Sequence, residues 1–140
     1  LSGRFHIIET DQFLIVDDCY NANPMSMKAS LDVLSEGSGR RVAILGDMGE
    51  LGENEVQLHR QVGEHAGKCG IDLCICAGAP SRHIAEGARE ANPDLEIIYE
   101  ESREALLAKL PSYLQKGDTI LVKASHFMGF EEIVKVLQEI

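Results

Sequence analysis

The chain has 140 residues, the length of one ordinary domain, and carries 13 Lys and Arg against 23 Asp and Glu, for a net charge of −10. Nucleic-acid binders that track phosphates, and proteins that bind anionic membrane surfaces, need the opposite charge balance, so the composition disfavours both classes. With 44% hydrophobic and 26% charged residues, the sequence predicts a folded core rather than disorder.

The first predicted elements are a β-hairpin and a helix. Two short β segments, 5–9 and 13–17, flank a polar turn and predict the hairpin. Asn23 is then a helix N-cap with Pro24 at the first helical position, and apolar residues follow at helical spacing until Gly37. The remaining predicted elements are strands at 41–45, 72–77, 95–99 and 119–122 and helices at 54–68, 81–91, 102–115 and 130–137.

Helices alternate with strands after the hairpin, and such alternation predicts crossover connections and a parallel sheet covered on both faces. We expect an α/β fold, a three-layer Rossmann-like sandwich of about six strands, mostly parallel with an antiparallel N-terminal hairpin strand. Residues 1–140 are expected to form a single domain. In open sheets of this kind, ligands bind beyond the carboxyl ends of the strands.

Features of the termini and cysteines favour a reduced, cytoplasmic location. No apolar run approaches the roughly 20 residues of a membrane span, and the N-terminus lacks a signal peptide and an initiator Met, which suggests a fragment or processed product. The cysteines are expected to be reduced. Cys74 and Cys76, spaced to share a strand face, are interpreted as buried apolar residues rather than a metal or redox site.

The chain lacks the glycine-rich loops that bind nucleotide phosphates. The segment 63–69 has the glycines and the lysine of a phosphate-binding loop, but it has one residue too few between its glycines. It also lies inside a predicted helix. No G-x-G-x-x-G follows the first parallel strand. The domain is therefore not expected to hold a triphosphate alone.

Three loops at strand ends carry the candidate site residues. The loop at 17–24 combines carboxylates, a phenol and carboxamides, which suit a ribose or base edge; alternatively, Asn23 is only an N-cap and Asn21 a turn former. The loop at 46–52 is acidic and would receive an amine or hydrated Mg²⁺; alternatively, it is a tight turn whose Glu50 favours the next helix start.

The third loop begins at Lys123, at the mouth of the last strand. This cation would meet a carboxylate or phosphate, or would form an ion pair with Asp17, Asp18 or Asp47. Within the helix predicted at 54–68, Val56, Arg60 and Gly63 fall at helical spacing, and Glu55 and His59 are expected to be a surface pair. No metal site is predicted.

Four strings of the sequence form one pattern: DDCYNANPMSM at 17–27, ILGDMGELG at 44–52, HRQVG at 59–63 and LVKASHFMGFE at 121–131. Together they resemble the C-terminal domain of the Mur ligases, in the branch that adds D-alanyl-D-alanine to UDP-N-acetylmuramoyl-tripeptide. The last string departs from the family pattern, since Ala124 replaces Gly, His126 replaces Arg and Phe130 stands where Met is common.

The resemblance implies a three-domain cytoplasmic enzyme of peptidoglycan synthesis. Its other domains would hold the UDP-sugar, ATP and Mg²⁺, and this one would close over ATP and admit the dipeptide. The tripeptide carboxylate would be phosphorylated to an acyl phosphate, which the D-Ala-D-Ala amine attacks. By itself the chain is expected to be inactive and to hold no catalytic residue.

Residue roles follow from the resemblance alone. It implies nucleotide contacts for Asp18, Tyr20, Asn21 and Asn23. It implies contacts to the dipeptide or acyl phosphate for Lys123, Ser125, Asp47, Glu50 and His126.

A phospho-receiver signalling domain is the alternative, because it too has an acidic pair after its first parallel strand, a later aspartate and a lysine near its end. Asp17, Asp18, Asp47 and Lys123 mimic that set. Against it stand the short gap before Asp47 and the opening hairpin. A pure binding module is a third possibility if the fragment is natural.

Overall fold

The computed structural model describes residues 6–140, so Phe5, with which the first predicted strand begins, lies outside the described residues. The strands are β1 His6–Glu9, β2 Leu14–Asp17, β3 Arg41–Gly46, β4 Leu73–Ala77, β5 Glu96–Glu100 and β6 Thr119–Lys123. The helices are α1 Pro24–Ser35, α2 Glu55–Lys68, α3 Ser81–Ala91, α4 Arg103–Tyr113 and α5 Glu131–Glu139, with 3₁₀ turns at Gly52–Asn54 and His126–Met128.

The six strands form one sheet in the order β1-β2-β6-β3-β4-β5. Within residues 6–140, only the β1–β2 pair is antiparallel; β2–β6, β6–β3, β3–β4 and β4–β5 are parallel. The last strand of the chain therefore lies between the first two parallel strands. Their carboxyl ends meet, because Asp17 pairs with Val122 and Leu45 with Lys123.

The helices cover both faces of this sheet. Residues of α1, α2 and α3, including Leu31, Val62 and Ile84, pack on one face. Residues of α4 and α5, including Leu106 and Ile133, pack on the other. The predicted α/β architecture of about six strands with an antiparallel N-terminal hairpin is confirmed.

The strand order argues against the phospho-receiver alternative. Counting only the parallel strands in chain order, the arrangement is 1-5-2-3-4, whereas the flavodoxin-like order found in receiver domains is 2-1-3-4-5. Inserting the last strand beside the first separates β2 from β3. The loops after β2 and β3, which carry Asp18 and Asp47, are therefore separated by the end of β6. In the order 2-1-3-4-5, the first two parallel strands are neighbours.

Helices α2 and α3 approach each other so closely that glycine is required at their contact. A Cβ on Gly63 would overlap the carbonyl oxygen of Ile84, and one on Gly87 would overlap that of Arg60. This contact explains the glycines of the segment 63–69, Gly63 and Gly67. Both lie within helix α2 and form no phosphate loop.

The buried face of α2 includes a histidine. Val56 is 49% exposed and Arg60 is partly exposed, whereas His59, Val62 and Ala66 are buried. These three residues lie at positions i, i+3 and i+7 and share a face. The expected surface pair of Glu55 and His59 is therefore wrong: His59 points into the protein.

Candidate functional site

A cleft of about 900 Å³ lies at the carboxyl ends of β2, β3 and β6. It lies within the size range of small-molecule sites. The cleft is lined by all three loops singled out from the sequence, through Asn21, Asn23, Asp47, Glu50, Ser125 and His126. The structure thus brings together six of the nine residues assigned to ligand contacts.

The topology explains the position of the cleft. The chain leaves β2 and β3 toward helices on one face of the sheet, whereas it leaves β6 toward α5 on the other face. Where neighbouring strands send their connections to opposite faces, a crevice opens at their carboxyl ends.

The first loop is fixed to the start of α1. The Asn23 side-chain oxygen accepts a hydrogen bond from the backbone amide of Ser26 at 2.8 Å, and the backbone amide of Asn23 donates to the Ser26 hydroxyl at 3.1 Å. This capping box confirms Asn23 as an N-cap. The side-chain amide group of Asn23, which the cap does not use, remains a donor at the edge of the cleft.

Lys123, Asp18 and Ser30 form a buried polar cluster behind the cleft. The Lys123 ammonium donates to Asp18 Oδ2 at 2.7 Å and to the Asn21 carbonyl at 3.0 Å. The Ser30 hydroxyl donates to the same Asp18 oxygen at 2.7 Å. Since Lys123 is only 2% exposed, the structure favours its role as an ion-pair partner, with Asp18 as the partner among the three considered.

Asp47 is fixed to the first turn of α3. Its Oδ1 accepts hydrogen bonds from the Ser81 amide at 3.0 Å and the Ser81 hydroxyl at 2.7 Å. Burial raises the pKa of the Asp47 carboxyl, and the bonds from Ser81 oppose that rise. Asp47 is thus a largely buried carboxylate that still borders the cleft.

The loop of residues 46–52 is held by two further contacts. The Met48 amide donates to Nε2 of His59 at 3.0 Å, and the Gly49 amide donates to the Ser125 hydroxyl at 2.8 Å. The Ser125 amide in turn donates to the Asp47 carbonyl at 3.0 Å. The acidic loop is therefore tied to α2 and to the loop after β6.

Tyr20 and His126 meet beside the cleft. Their ring centroids are 5.6 Å apart at an interplanar angle of 46°. His126 also approaches Glu131, with Nδ1 3.4 Å from Oε2. Of these three residues, only His126 lines the cleft.

A smaller cleft of about 350 Å³ adjoins the first, and Asp47 and Phe127 line both. Arg103, at the start of α4, lines the smaller one. Its guanidinium donates to the Gly129 carbonyl at 3.0 Å and to Glu104 at 2.8 Å. Among residues 6–140, Arg103 is the only Arg or Lys bordering either cleft, so both are predominantly acidic.

Sequence reasoning missed His59, Ser81 and Phe127. His59 shares a helical face with Val62 and Ala66, and that periodicity would have placed it inside. Ser81 was recognised only as a helix start, and its bond to Asp47 depends on the sheet order. Phe127 is 68% exposed and carries no sequence signal of a role.

Within the described part of the chain, no group of three or more His, Cys, Asp or Glu side chains is arranged to hold a metal ion. The acidic loop has carboxylates, yet Asp47 is bound by Ser81. These described residues therefore do not form a cage for a metal ion. Among residues 6–140, no helix is long and apolar enough to cross a membrane.

Comparison with known proteins gives a consistent result. Residues 3–126 match the family model described as Mur ligase, glutamate ligase domain. The UDP-N-acetylmuramoyl-tripeptide–D-alanyl-D-alanine ligases of Bacillus subtilis and Escherichia coli are 39% and 40% identical over 97% and 98% of this chain. The chain spans about 30% of the length of each.

Solved structures show the same likeness. A crystal structure of MurF from Acinetobacter baumannii superposes with a TM-score of 0.85 at 30% identity, over 99% of this chain and 31% of that one. A MurF ligase from Thermotoga maritima, solved in complex with ADP, has a TM-score of 0.79 at 27% identity, over 99% and 31% of the two chains.

Proposed function

Because the chain belongs to the Mur ligase family, matching its glutamate ligase domain, we propose that it is the C-terminal part of an ATP-dependent peptide ligase of peptidoglycan synthesis. The ligase adds D-alanyl-D-alanine to UDP-N-acetylmuramoyl-tripeptide, as the names of its relatives state for them. The remaining part of the enzyme, which the relatives' length implies, binds the UDP-sugar and most of the ATP. The cytoplasm is its proposed location.

One observation carries this proposal: the three loops that match the family strings converge on a single cleft. The loops come from strands far apart in sequence, so their convergence is a property of the fold. Two carboxamides lie on one side of the cleft and an acidic loop on the other. The cleft can therefore take one polar neutral group and one cation.

The carboxamide side suits the nucleotide. Asn21 and Asn23 side chains offer donors and acceptors for a ribose or base edge. Asp18 supports this loop from behind through Lys123, and Tyr20 flanks it through its contact with His126. In this proposal Asn21 and Asn23 touch the nucleotide, whereas Asp18 and Lys123 set the loop.

The acidic side suits the amine of the incoming dipeptide. Asp47 and Glu50 border the cleft, and within residues 6–140 no Lys or Arg neutralises them there. The amine must lose a proton before it attacks the acyl phosphate carbon and expels phosphate. A carboxylate next to the amine holds and orients it before that attack. Ser125 and His126 would complete the wall facing the acyl phosphate.

ATP is the nucleotide of this proposal, and one solved relative contains ADP. Mg²⁺ accompanies ATP in the proposal. The residues of this chain form no site for it, so its ligands are assigned to the rest of the enzyme.

Measuring ADP release by the full-length ligase tests the function. With ATP and UDP-N-acetylmuramoyl-tripeptide present, release is expected to require D-alanyl-D-alanine. The isolated 140-residue chain is expected to form no ADP. Turnover by the isolated chain, or release by the ligase that ignores the dipeptide, would overturn the proposal.

A further inference from the structure

The acidic loop holds one carboxylate in a backbone conformation that is rare for its residue type. Glu50 has φ = 61°, in the left-handed region, where a side chain with a Cβ clashes with its own backbone. Glu50 lines the larger cleft, and its side chain makes no hydrogen bond or ion pair with residues 6–140. Within the described residues, no hydrogen bond or ion pair of this side chain therefore compensates for the strained backbone.

The residues just before Glu50 impose this conformation. The Met48 amide is bound to Nε2 of His59 at 3.0 Å, and the Gly49 amide to the Ser125 hydroxyl at 2.8 Å. Two successive amides are thus fixed to different elements, α2 and the loop after β6. The chain reaches Glu50 with little freedom left to choose its dihedral angles.

The His59 ring is held so that one of its nitrogens accepts the hydrogen bond from the Met48 amide. It is fully buried, and its Nδ1 lies 2.8 Å from the carbonyl oxygen of Glu55. Since that carbonyl can only accept and the Met48 amide can only donate, Nδ1 carries the proton and Nε2 is the acceptor. Without this ring nitrogen, the amide of Met48, itself only 1% exposed, would be buried with no partner.

We propose that His59 is a positioning residue: through the Met48 amide it holds Glu50 in the strained conformation that presents its carboxylate to the amine of the incoming substrate. Strained residues persist where the surrounding structure over-determines them, commonly at binding sites. This inference rests on the proposed function for the identity of the cation, but not for the strain itself.

The strain is tested in the 140-residue chain by thermal unfolding. Glu50→Asn should raise the Tm by about 2–4 °C, because Asn tolerates the left-handed region. Glu53→Asn is the matched control: it makes the same chemical change in the adjacent 3₁₀ turn, where φ is not positive, and should give no rise. In a His59→Phe background, the gain from Glu50→Asn should vanish.

If His59→Phe does not fold, Ser125→Ala takes its place, since it removes the second fixed amide with the same expected effect. A gain from Glu50→Asn that persists after the loop is released would overturn the inference. So would a Glu50→Asn chain no more stable than the Glu53→Asn control.

The positioning role is tested in the full-length ligase. Glu50→Asn and His59→Phe should each raise the KM for D-alanyl-D-alanine about ten- to hundredfold, the worth of one charge-assisted contact. The KM for ATP should stay within about twofold, a change of less than about 0.5 kcal/mol. The double variant should be no worse than Glu50→Asn, because His59 acts through Glu50.

Val62→Ala controls for lost stability. Val62 lies on the same face of α2 and is fully buried, and it makes no hydrogen bond to the acidic loop. Its replacement should lower the Tm and leave the dipeptide KM unchanged. Additive effects on the dipeptide KM in the double variant of Glu50→Asn and His59→Phe would contradict the positioning role. So would a raised dipeptide KM in Val62→Ala.

The two tests separate this inference from the proposed function. A ligase that does not use the dipeptide would refute the proposed function, while the thermal cycle would still report on the strain. Absence of coupling between His59 and Glu50 in a ligase that does use the dipeptide would refute this inference alone.

Discussion

Replacing Lys123 by Met should destabilise the chain strongly. The Lys123 side chain is 3% exposed and that of Asp18 11%, and the two are 2.7 Å apart. Removing the cation leaves the Asp18 carboxylate buried with only the Ser30 hydroxyl as a donor. Breaking such a pair costs about 3–5 kcal/mol. For a domain of this size, we expect the Tm to fall by about 10–17 °C.

Urea unfolding of three chains measures this cost. The control Lys135→Met removes an exposed lysine on α5 and should change the free energy of unfolding by less than about 0.5 kcal/mol. The double variant Lys123→Met with Asp18→Asn should recover at least about 2 kcal/mol, because it leaves no unpaired buried charge.

The result also decides between the two interpretations of Lys123. A Lys123→Met chain within about 1 kcal/mol of the wild type, joined to a raised dipeptide KM in the full-length ligase, would refute the reasoning. It would mean that Lys123 contacts the ligand directly, as the family resemblance implies.

Three further predictions concern stability. Gly63→Ala should lower the free energy of unfolding by about 3 kcal/mol or more, because its Cβ would overlap the Ile84 carbonyl. The control Gly52→Ala, strained at φ = 66° but in open space, should lower it by about 1 kcal/mol. Equal losses in urea unfolding would contradict the close helix contact. Asn23→Ala should lower the free energy of unfolding by about 1 kcal/mol through loss of the cap, and no loss would show that the cap is dispensable. Burial raises the pKa of Asp47 above its ordinary 3.8, so the folded chain binds this proton more tightly than the unfolded one. Ionisation of Asp47 therefore opposes folding above the raised value, and this cost disappears below the unfolded value. Asp47→Asn should thus gain stability relative to the wild type as pH rises from 3 to 7; a relative loss over that range, in urea unfolding, would refute the assigned shift.

The fold was predictable because several of its strands are marked by local sequence patterns. Segments such as 42–45 and 120–122 are continuous apolar runs that only a sheet covered on both faces can bury. Asn23 with Pro24 and the glycines after helices marked the boundaries. These are local signals, and they indicate the six strands and five α-helices that residues 6–140 form.

The contacts inside the site were not predictable in the same way. Three aspartates were possible partners for Lys123. Strand β6 lies between β2 and β3, next to all three, and in the structure Asp18 is the partner. Asp47 meets Ser81 instead because the start of α3 lies at the end of the neighbouring strand β4. Such choices depend on strand order, which no short sequence window contains.

His59 shows a different limit. The pair Glu55 and His59 fits a surface ion pair at i, i+4 as well as a buried ring bonded to the carbonyl of its own helix. The hydrophobic pattern of α2 is weak, because glycines replace apolar side chains where the helix touches α3. The burial of His59 was therefore not predicted.

In the proposed function, the cleft at the ends of β2, β3 and β6 receives the incoming amine on its acidic side. The most direct measurement is kcat/KM for D-alanyl-D-alanine in the full-length ligase carrying Asp47→Asn, with Glu53→Gln as the control. If the Asp47 carboxylate holds the amine, kcat/KM should fall about ten- to hundredfold for Asp47→Asn and stay unchanged for Glu53→Gln. An Asp47→Asn enzyme as efficient as the control would contradict it.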